Sequence, residues 1–459
     1  MKNKKLLTKS TLCRVLIFMF AINGFSSQVF SQNLNPNTAP PEYRIPELKY
    51  PTADAFVISY NIMDFKDVDN TGTKDMTTLI QTLLDRLGTR VSSDGGVNNG
   101  GVLFLPEGQY RVTGQIVIPK GVTIRGEWKK PVKGQPIVGT VIAARPNTKN
   151  SEDEASSLFI MQPSAGIKDM AFWYPEQGSS SAAIVAYPPT IMFGQRNFFG
   201  NEYCVAQNIT LVNSYHGLVL SAGGGGAPNM FGIYGTPLKT GIEIDYIAEV
   251  GRIEGVDFSP EYWTGSGLPN SPMKNGSYKT WIKENGTAIL MCRNDWTLAS
   301  NVNVEGYNIG FHAQTSKHPD SRPNGQNYKM TFTDCNTAIY ASDPQYCGIM
   351  FHQVNAVNCE RGLFVPQGAG GVVQLTDCSL QATEYTVEAE AGSTTRILMD
   401  QCTIVSGKID VQGSVLDITD SDINNDAPQI TIGPESRAIV VGNRFAKTAN
   451  IDKQSWKQL

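Results

Sequence analysis

Residues 100–126 read GGVLFLPEGQYRVTGQIVIPKGVTIRG. Four short apolar runs, at 102–105, 110–112, 116–118 and 122–124, are each closed by a turn signal: PEG at 106–108, TG at 113–114, PKG at 119–121 and Gly126. Runs this short, rich in β-branched residues and cut by Gly and Pro, are strands rather than helical turns. Several strands with no room for crossover helices predict a chain that winds in coils.

The rest of the chain keeps that rhythm. Short apolar strands end in Asp, Asn or Glu at Asn213, Asp257, Glu305, Asp334, Asn358, Asp377, Asp400, Asp420 and Asn443. The first two steps are about double the others, so one coil takes roughly 20–24 residues, a solenoid repeat. A second phase follows, a small residue before a strand, as in His216-Gly217-Leu218 and Ile309-Gly310-Phe311. Before the coils, Met76, Leu79, Ile80, Leu83, Leu84 and Leu87 share one helical face, which predicts a helix over 74–88. A lone amphipathic helix there covers the open first rung.

In these residues the chain resembles the pectate-lyase superfamily, in its rhamnogalacturonase/epimerase-like, glycosidase-related branch. The resemblance rests on Met63-Asp64-Phe65, the helix 74–88, Gly100-Gly101 through Pro106-Glu107-Gly108-Gln109-Tyr110, and Pro119-Lys120-Gly121-Val122 through Gly126. It implies an all-β fold: a right-handed, single-stranded parallel β-helix, pectin-lyase-like, with an N-terminal capping helix. The superfamily hosts lyases, hydrolases, epimerases and tailspikes, so the fold does not name the chemistry. The Asn-Thr-Asp, Asp-Asp, Gly-His-Gly and Arg-Ile-Lys motifs of its polygalacturonases are absent, so no family catalytic residue carries over.

Composition narrows the class. Hydrophobic residues make up 41% and charged residues 17%, with 44 Gly and 25 Pro, as in a turn-dense globular protein. Residues 1–31 read as a signal peptide, with Lys2, Lys4, Lys5, Lys9 and Arg14 flanking a short apolar core at 15–22. That implies a secreted or periplasmic protein, with no membrane span elsewhere in the sequence. The formal charge of −4 becomes more negative without that segment, which argues against nucleic acid as a partner. Residues 32–52 are a Pro- and Asn-rich linker or extended arm, and 53–459 the β-helix domain.

Cys204, Cys292, Cys335, Cys347, Cys359, Cys378 and Cys402 form no C-x-x-C pair, so no zinc site is expected. Cys335, Cys359, Cys378 and Cys402 share the repeat phase and are expected to stack as one inward ladder of reduced thiols.

Breaks in the period mark candidate sites, because loops on a rigid scaffold carry function. They fall at 223–240, 259–281 and 314–329. The carboxylates beside them, Asp257, Glu261, Asp295 and Glu305, are the candidate catalytic residues. Glycoside hydrolysis needs one carboxyl as acid and another as base or nucleophile. Trp263, Tyr278, Arg293 and His318 are the candidate substrate-binding residues, the aromatics for sugar faces. For each, a turn, ion-pair or packing role is the structural alternative. His216 and His312 both flank the small-residue corner, which can place them on one face. No acidic cluster resembles a calcium cage, so no cofactor is expected, and Ca²⁺ enters only if the chain is a lyase. The expected partner is a polysaccharide, and the oligomeric state is not legible. The reading is a hydrolase acting through paired carboxylates; the alternatives are a polysaccharide lyase and a non-catalytic glycan-binding β-helix.

Overall fold

The structure is a computed structural model and describes residues 34–89, 100–194, 202–221, 226–248, 250–317, 321–424, 430–446 and 451–453. The signal peptide at 1–31 and His318 lie outside the described residues.

The chain coils into a parallel β-helix with three faces, here called sheets A, B and C. Each turn runs from a strand on A, through a one-residue corner, to B, round a second corner to C, and back to A. In one such turn, Leu298–Glu305 supplies A and B and Ile309–Ala313 supplies C. Every strand pair in register is parallel. Inward positions stack into apolar columns. On B the column is Ile209, Ile233, Val256, Val302, Met330 and Val354; on C it is Leu218, Ile242, Ile289, Phe311, Ile339 and Leu363. All are buried. Each such side chain contributes about 1.5–3 kcal/mol on burial, which is why the alternation specifies the coil.

The A-to-B corner is a column of left-handed residues: Asp169, Asn208, Gly232, Gly255, Asn301, Lys329, Gln353, Asp377, Gln401, Asp420 and Gly442, with φ between 45° and 75°. Gly, Asn and Asp dominate because they tolerate this region best. Side chains in adjacent rungs also bond: Asn208 Nδ2 donates to Asp169 Oδ1 at 2.7 Å, and Gln353 Nε2 to Asp377 Oδ2 at 2.9 Å. A second left-handed column, Gly306, Asp334 and Asn358, makes the B-to-C corner, where Asn358 Nδ2 donates to Asp334 Oδ1.

The repeat read from sequence as one ladder is therefore two. Asp334 and Asn358 turn one corner, Asp377 and Asp420 the other. Asp257 turns neither; it is mid-strand, opposite Asn303, two residues out of phase with Glu305. An Asx residue ends a strand equally well at either left-handed corner, so spacing alone cannot separate them. The thiols split the same way, Cys335 with Cys359 at one corner and Cys378 with Cys402 at the other. All four are buried and free, and Cys347 is the exposed thiol among the described residues.

The helix α1 spans Thr77–Gly88, shorter than 74–88, because Thr71–Asp75 is a strand. Met76 is its N-cap residue, and Asp75 just before it accepts from Thr77 N through Oδ1 at 3.1 Å. Ile80, Leu83, Leu84 and Leu87 are buried against the first rungs. The 34–52 segment is an arm laid on the helix wall: Tyr60 Oη donates to Ala39 O at 3.0 Å, and Lys49 N to Glu127 Oε2 at 2.7 Å.

Two predicted loop breaks are narrower than expected. Asn229–Gly235 is an ordinary strand, so most of 223–240 belongs to the coil, and Gly325–Thr333 is a strand, which ends the third break at 324. Two glycines of that stretch are corner residues: Gly232 is left-handed, and a Cβ on Gly235 would stand 1.9 Å from Leu211 O. The break at 259–281 is a true insertion, carrying α2 (Glu261–Thr264) and α3 (Tyr278–Asn285).

Candidate functional site

The 259–286 insertion leaves at the B-to-C corner, and the segments 314–317 and 321–324 lie at the C-to-A corner. They flank the outer face of sheet C from opposite edges. Along that face runs one outward column: Val117, Ile160, Met192, Val219, Glu243, Leu290, His312, Tyr340 and Phe364. The first four form a small apolar cluster of their own. Glu243 interrupts it, and aromatics follow.

Glu243 is 4% exposed. Its Oε1 accepts from Lys317 Nζ at 2.6 Å, and the same ammonium lies 3.6 Å from Glu154 Oε1. Ser221 Oγ donates to Glu154 Oε2 at 2.5 Å. Asp245, fully buried, accepts from Lys317 N at 3.0 Å and Arg293 N at 3.2 Å. Burial raises the Glu243 carboxyl above the usual range against the pull of Lys317, and the neighbouring Glu154 and Asp245 push the same way. Burial also pulls on Lys317, but Glu243 and Glu154 outweigh it and its pKa is raised. The Lys317 side chain is 42% exposed and that of Glu243 6%, so the ammonium stands between the carboxyl and solvent.

Two histidines share this face. Burial, with Lys317 and Lys239, holds His216 down to about 3, and its buried Nδ1 has no hydrogen-bond partner. Burial holds His312 down to about 4. Its ring stacks on Tyr340, 4.4 Å between centroids and 8° between planes. Ser342 Oγ donates to Ala313 O at 2.9 Å, so His312 Nε2, 3.1 Å from Ser342 Oγ, is the donor of that pair. Tyr215 and Trp281, 5.8 Å apart, wall the insertion side.

The residues singled out from sequence are dispersed. Asp257 and Glu305 meet on the outer face of sheet B, where Lys133 Nζ bridges them at 3.1 and 3.2 Å. Ser259 Oγ donates to Glu305 Oε2 at 2.9 Å. Lys133 belongs to the 127–139 segment, a strap tied to the insertion by Gly134 N→Glu261 O and Ile137 N→Ser266 O. Glu261 pairs with Lys279 at 2.7 Å, which holds its carboxyl below the usual range. With Glu305, Lys283 and Glu284 it lines a cleft of about 470 Å³. Asp295 sits elsewhere, paired with Arg293 at 3.1 Å beside a cleft of about 650 Å³ that also holds Arg322 and Asp343. Trp263 and Tyr278 are 1% and 0% exposed and pack edge to face at 5.1 Å, so neither ring offers a face to a ligand.

Glu154, Glu243 and Asp245 were missed. The available signal was Glu243 within TGIEI at 240–244, a carboxylate inside an apolar strand with an acid directly after it. Glu154 is some ninety residues upstream, and only coil stacking brings it there.

Residues 59–173 match the family model described as rhamnogalacturonase A/epimerase, pectate lyase-like. No curated protein matches the chain significantly. Among solved structures, it is similar to the A-module of mannuronan C-5 epimerase AlgE4 from Azotobacter vinelandii, at 11% identity over 86% of this chain and 98% of that one, TM-score 0.44. It is also similar to the catalytic unit of a GH87 α-1,3-glucanase from Streptomyces thermodiastaticus, at 12% identity, 90% and 70% coverage and TM-score 0.46. A third is DFA-IIIase from Arthrobacter chlorophenolicus A6, at 11% identity, 85% and 98% coverage and TM-score 0.45.

Proposed function

We propose that the protein cleaves a polysaccharide by hydrolysis in the groove over sheet C, with Glu243 and Glu154 as the carboxyl pair. The observation that carries this reading is their convergence on one ammonium, with Glu243 buried. Glu243, whose pKa burial raises, is assigned the role of acid toward the departing glycosidic oxygen, and Glu154 serves as base or nucleophile. Lys317 keeps two carboxyls close that would otherwise repel, and Ser221 orients Glu154. Leu290, His312, Tyr340 and Phe364 form a floor one rung apart, roughly 4.8 Å each, suited to successive sugar rings lying along the coil axis. The family model over 59–173 supports a carbohydrate substrate. The signal-like N-terminus supports export.

A second reading, β-elimination on a uronate polymer, uses the same place. His216, kept neutral by burial and by Lys317 and Lys239, supplies a base with cations beside it.

The test is a panel of polysaccharides read both for new reducing ends and for absorbance of unsaturated uronates. On the polymer cleaved, Glu243→Gln and Glu154→Gln should each lose a factor of about 10²–10⁴ in rate. Asp257→Asn, remote from the groove, should stay near wild type. Unsaturated products would establish elimination instead. Full activity in both glutamine variants would remove the groove assignment.

A further inference from the structure

A further cleft, of about 480 Å³, opens away from sheet C, where the arm at 49–53 passes the 128–130 segment and Asn208. Lys49, Lys129 and Lys130 line it with Tyr50 and Trp128, and no carboxylate is among its lining residues. Lys49 is ion-paired with Glu107, whose other oxygen accepts from Tyr50 Oη at 2.9 Å. Lys129 and Lys130 are exposed and form no ion pair among the described residues. This concentration of positive charge sits on a chain of net charge −4.

The walls are held by specific contacts. Trp128 Nε1 donates to Thr210 Oγ1 at 2.9 Å, and its ring lies 5.7 Å from that of Tyr234. Lys130 Nζ stands 5.4 Å over the Tyr234 ring. A flat, held indole beside two ammonium groups that form no ion pair among the described residues, with the neighbouring Glu107 already engaged by Lys49 and Tyr50, suits a ring that carries a negative charge. A neutral sugar would meet donors but few acceptors.

We propose that this cleft binds an acidic saccharide, a uronic-acid unit whose carboxylate meets Lys129 and Lys130 while its ring lies against Trp128. The volume fits a ligand of this size. The saccharide identity of the anion rests on the carbohydrate reading above; the anion preference rests on the cleft alone. The site is a holding point outside the groove, one face away from Glu243.

The experiment is calorimetric titration of the full chain with galacturonate and mannuronate hexamers, a neutral glucose hexamer, inorganic sulfate and a short single-stranded oligonucleotide. The acidic hexamers should bind, and more weakly as salt is raised. The neutral hexamer should not. The Lys129→Ala/Lys130→Ala double variant should bind roughly tenfold more weakly, two exposed ion pairs at a few-fold each. Its thermal midpoint should be unchanged, since both side chains are exposed. Glu243→Gln should keep wild-type affinity. Equal binding of acidic and neutral hexamers, equal or tighter binding of sulfate or oligonucleotide, or undiminished affinity in the lysine variant overturns the proposal. If affinity falls in Glu243→Gln and not in the lysine variant, the ligand sits in the groove, and only the cleft assignment fails. If the lysine variant loses binding while no polymer is cleaved, the cleft stands and groove hydrolysis fails.

Discussion

Replacing His312 by glutamine should flatten part of the protein's acid sensitivity. His312 sits on the outer face of sheet C, stacked on Tyr340 and donating to Ser342. Burial holds its pKa down to about 4 from 6.5. Between those values the unfolded chain carries the proton and the folded chain does not. Stability from keeping this ring neutral is therefore fully present above about 6.5, and is lost as the pH falls toward 4. The slope is about 1.4 kcal/mol per pH unit across that window, for a total of about 3 kcal/mol. Glutamine can still donate to Ser342 but does not titrate. Urea midpoints from neutral to about pH 4.5 should fall less steeply for His312→Gln, and every other titrating group cancels in the difference. The His216 contribution remains, extending toward pH 3, so the variant removes part of the loss and not all of it. Ring-proton NMR gives the direct check. Identical slopes in the two proteins, or a His312 ring titrating near 6.5, would refute the argument.

Other outcomes follow from the same geometry. Lys133→Met leaves Asp257 and Glu305 facing each other without their shared cation, which should cost about 1–3 kcal/mol and loosen the 127–139 strap; hydrogen exchange confined to that strap and the 259–281 insertion is the readout, and unchanged exchange counts against the tie. Lys329 holds φ 51° between Asn301 and Gln353, so Lys329→Gly should stabilise by about 1 kcal/mol in denaturant titration, and a loss would contradict the left-handed corner. Gly235→Ala should destabilise severely, because its Cβ would meet Leu211 O at 1.9 Å; near-normal folding would show that the corner is not tight. Native protein should react with a thiol reagent at Cys347, and the buried thiols at 204, 292, 335, 359, 378 and 402 only after unfolding.

The sequence by itself determined the coil. Period, strand length and turn residues are local properties, and the inward alternation of columns such as Ile233, Val256 and Val302 follows from them. The capping helix was legible for the same reason, in one apolar stripe. What the tertiary structure decided was phase and neighbourhood. Two left-handed corners accept the same residues, so only stacking shows that Asp257 faces out of sheet B and under Lys133, while Asp334 turns a corner. The cation that ties Asp257 and Glu305 comes from the 127–139 strap, more than a hundred residues earlier. Glu243 looked like a polar residue in an apolar strand. It becomes a buried acid only because Lys317 and Glu154, distant in the chain, close over the same rung, and burial and charge are properties of that assembly rather than of any local stretch.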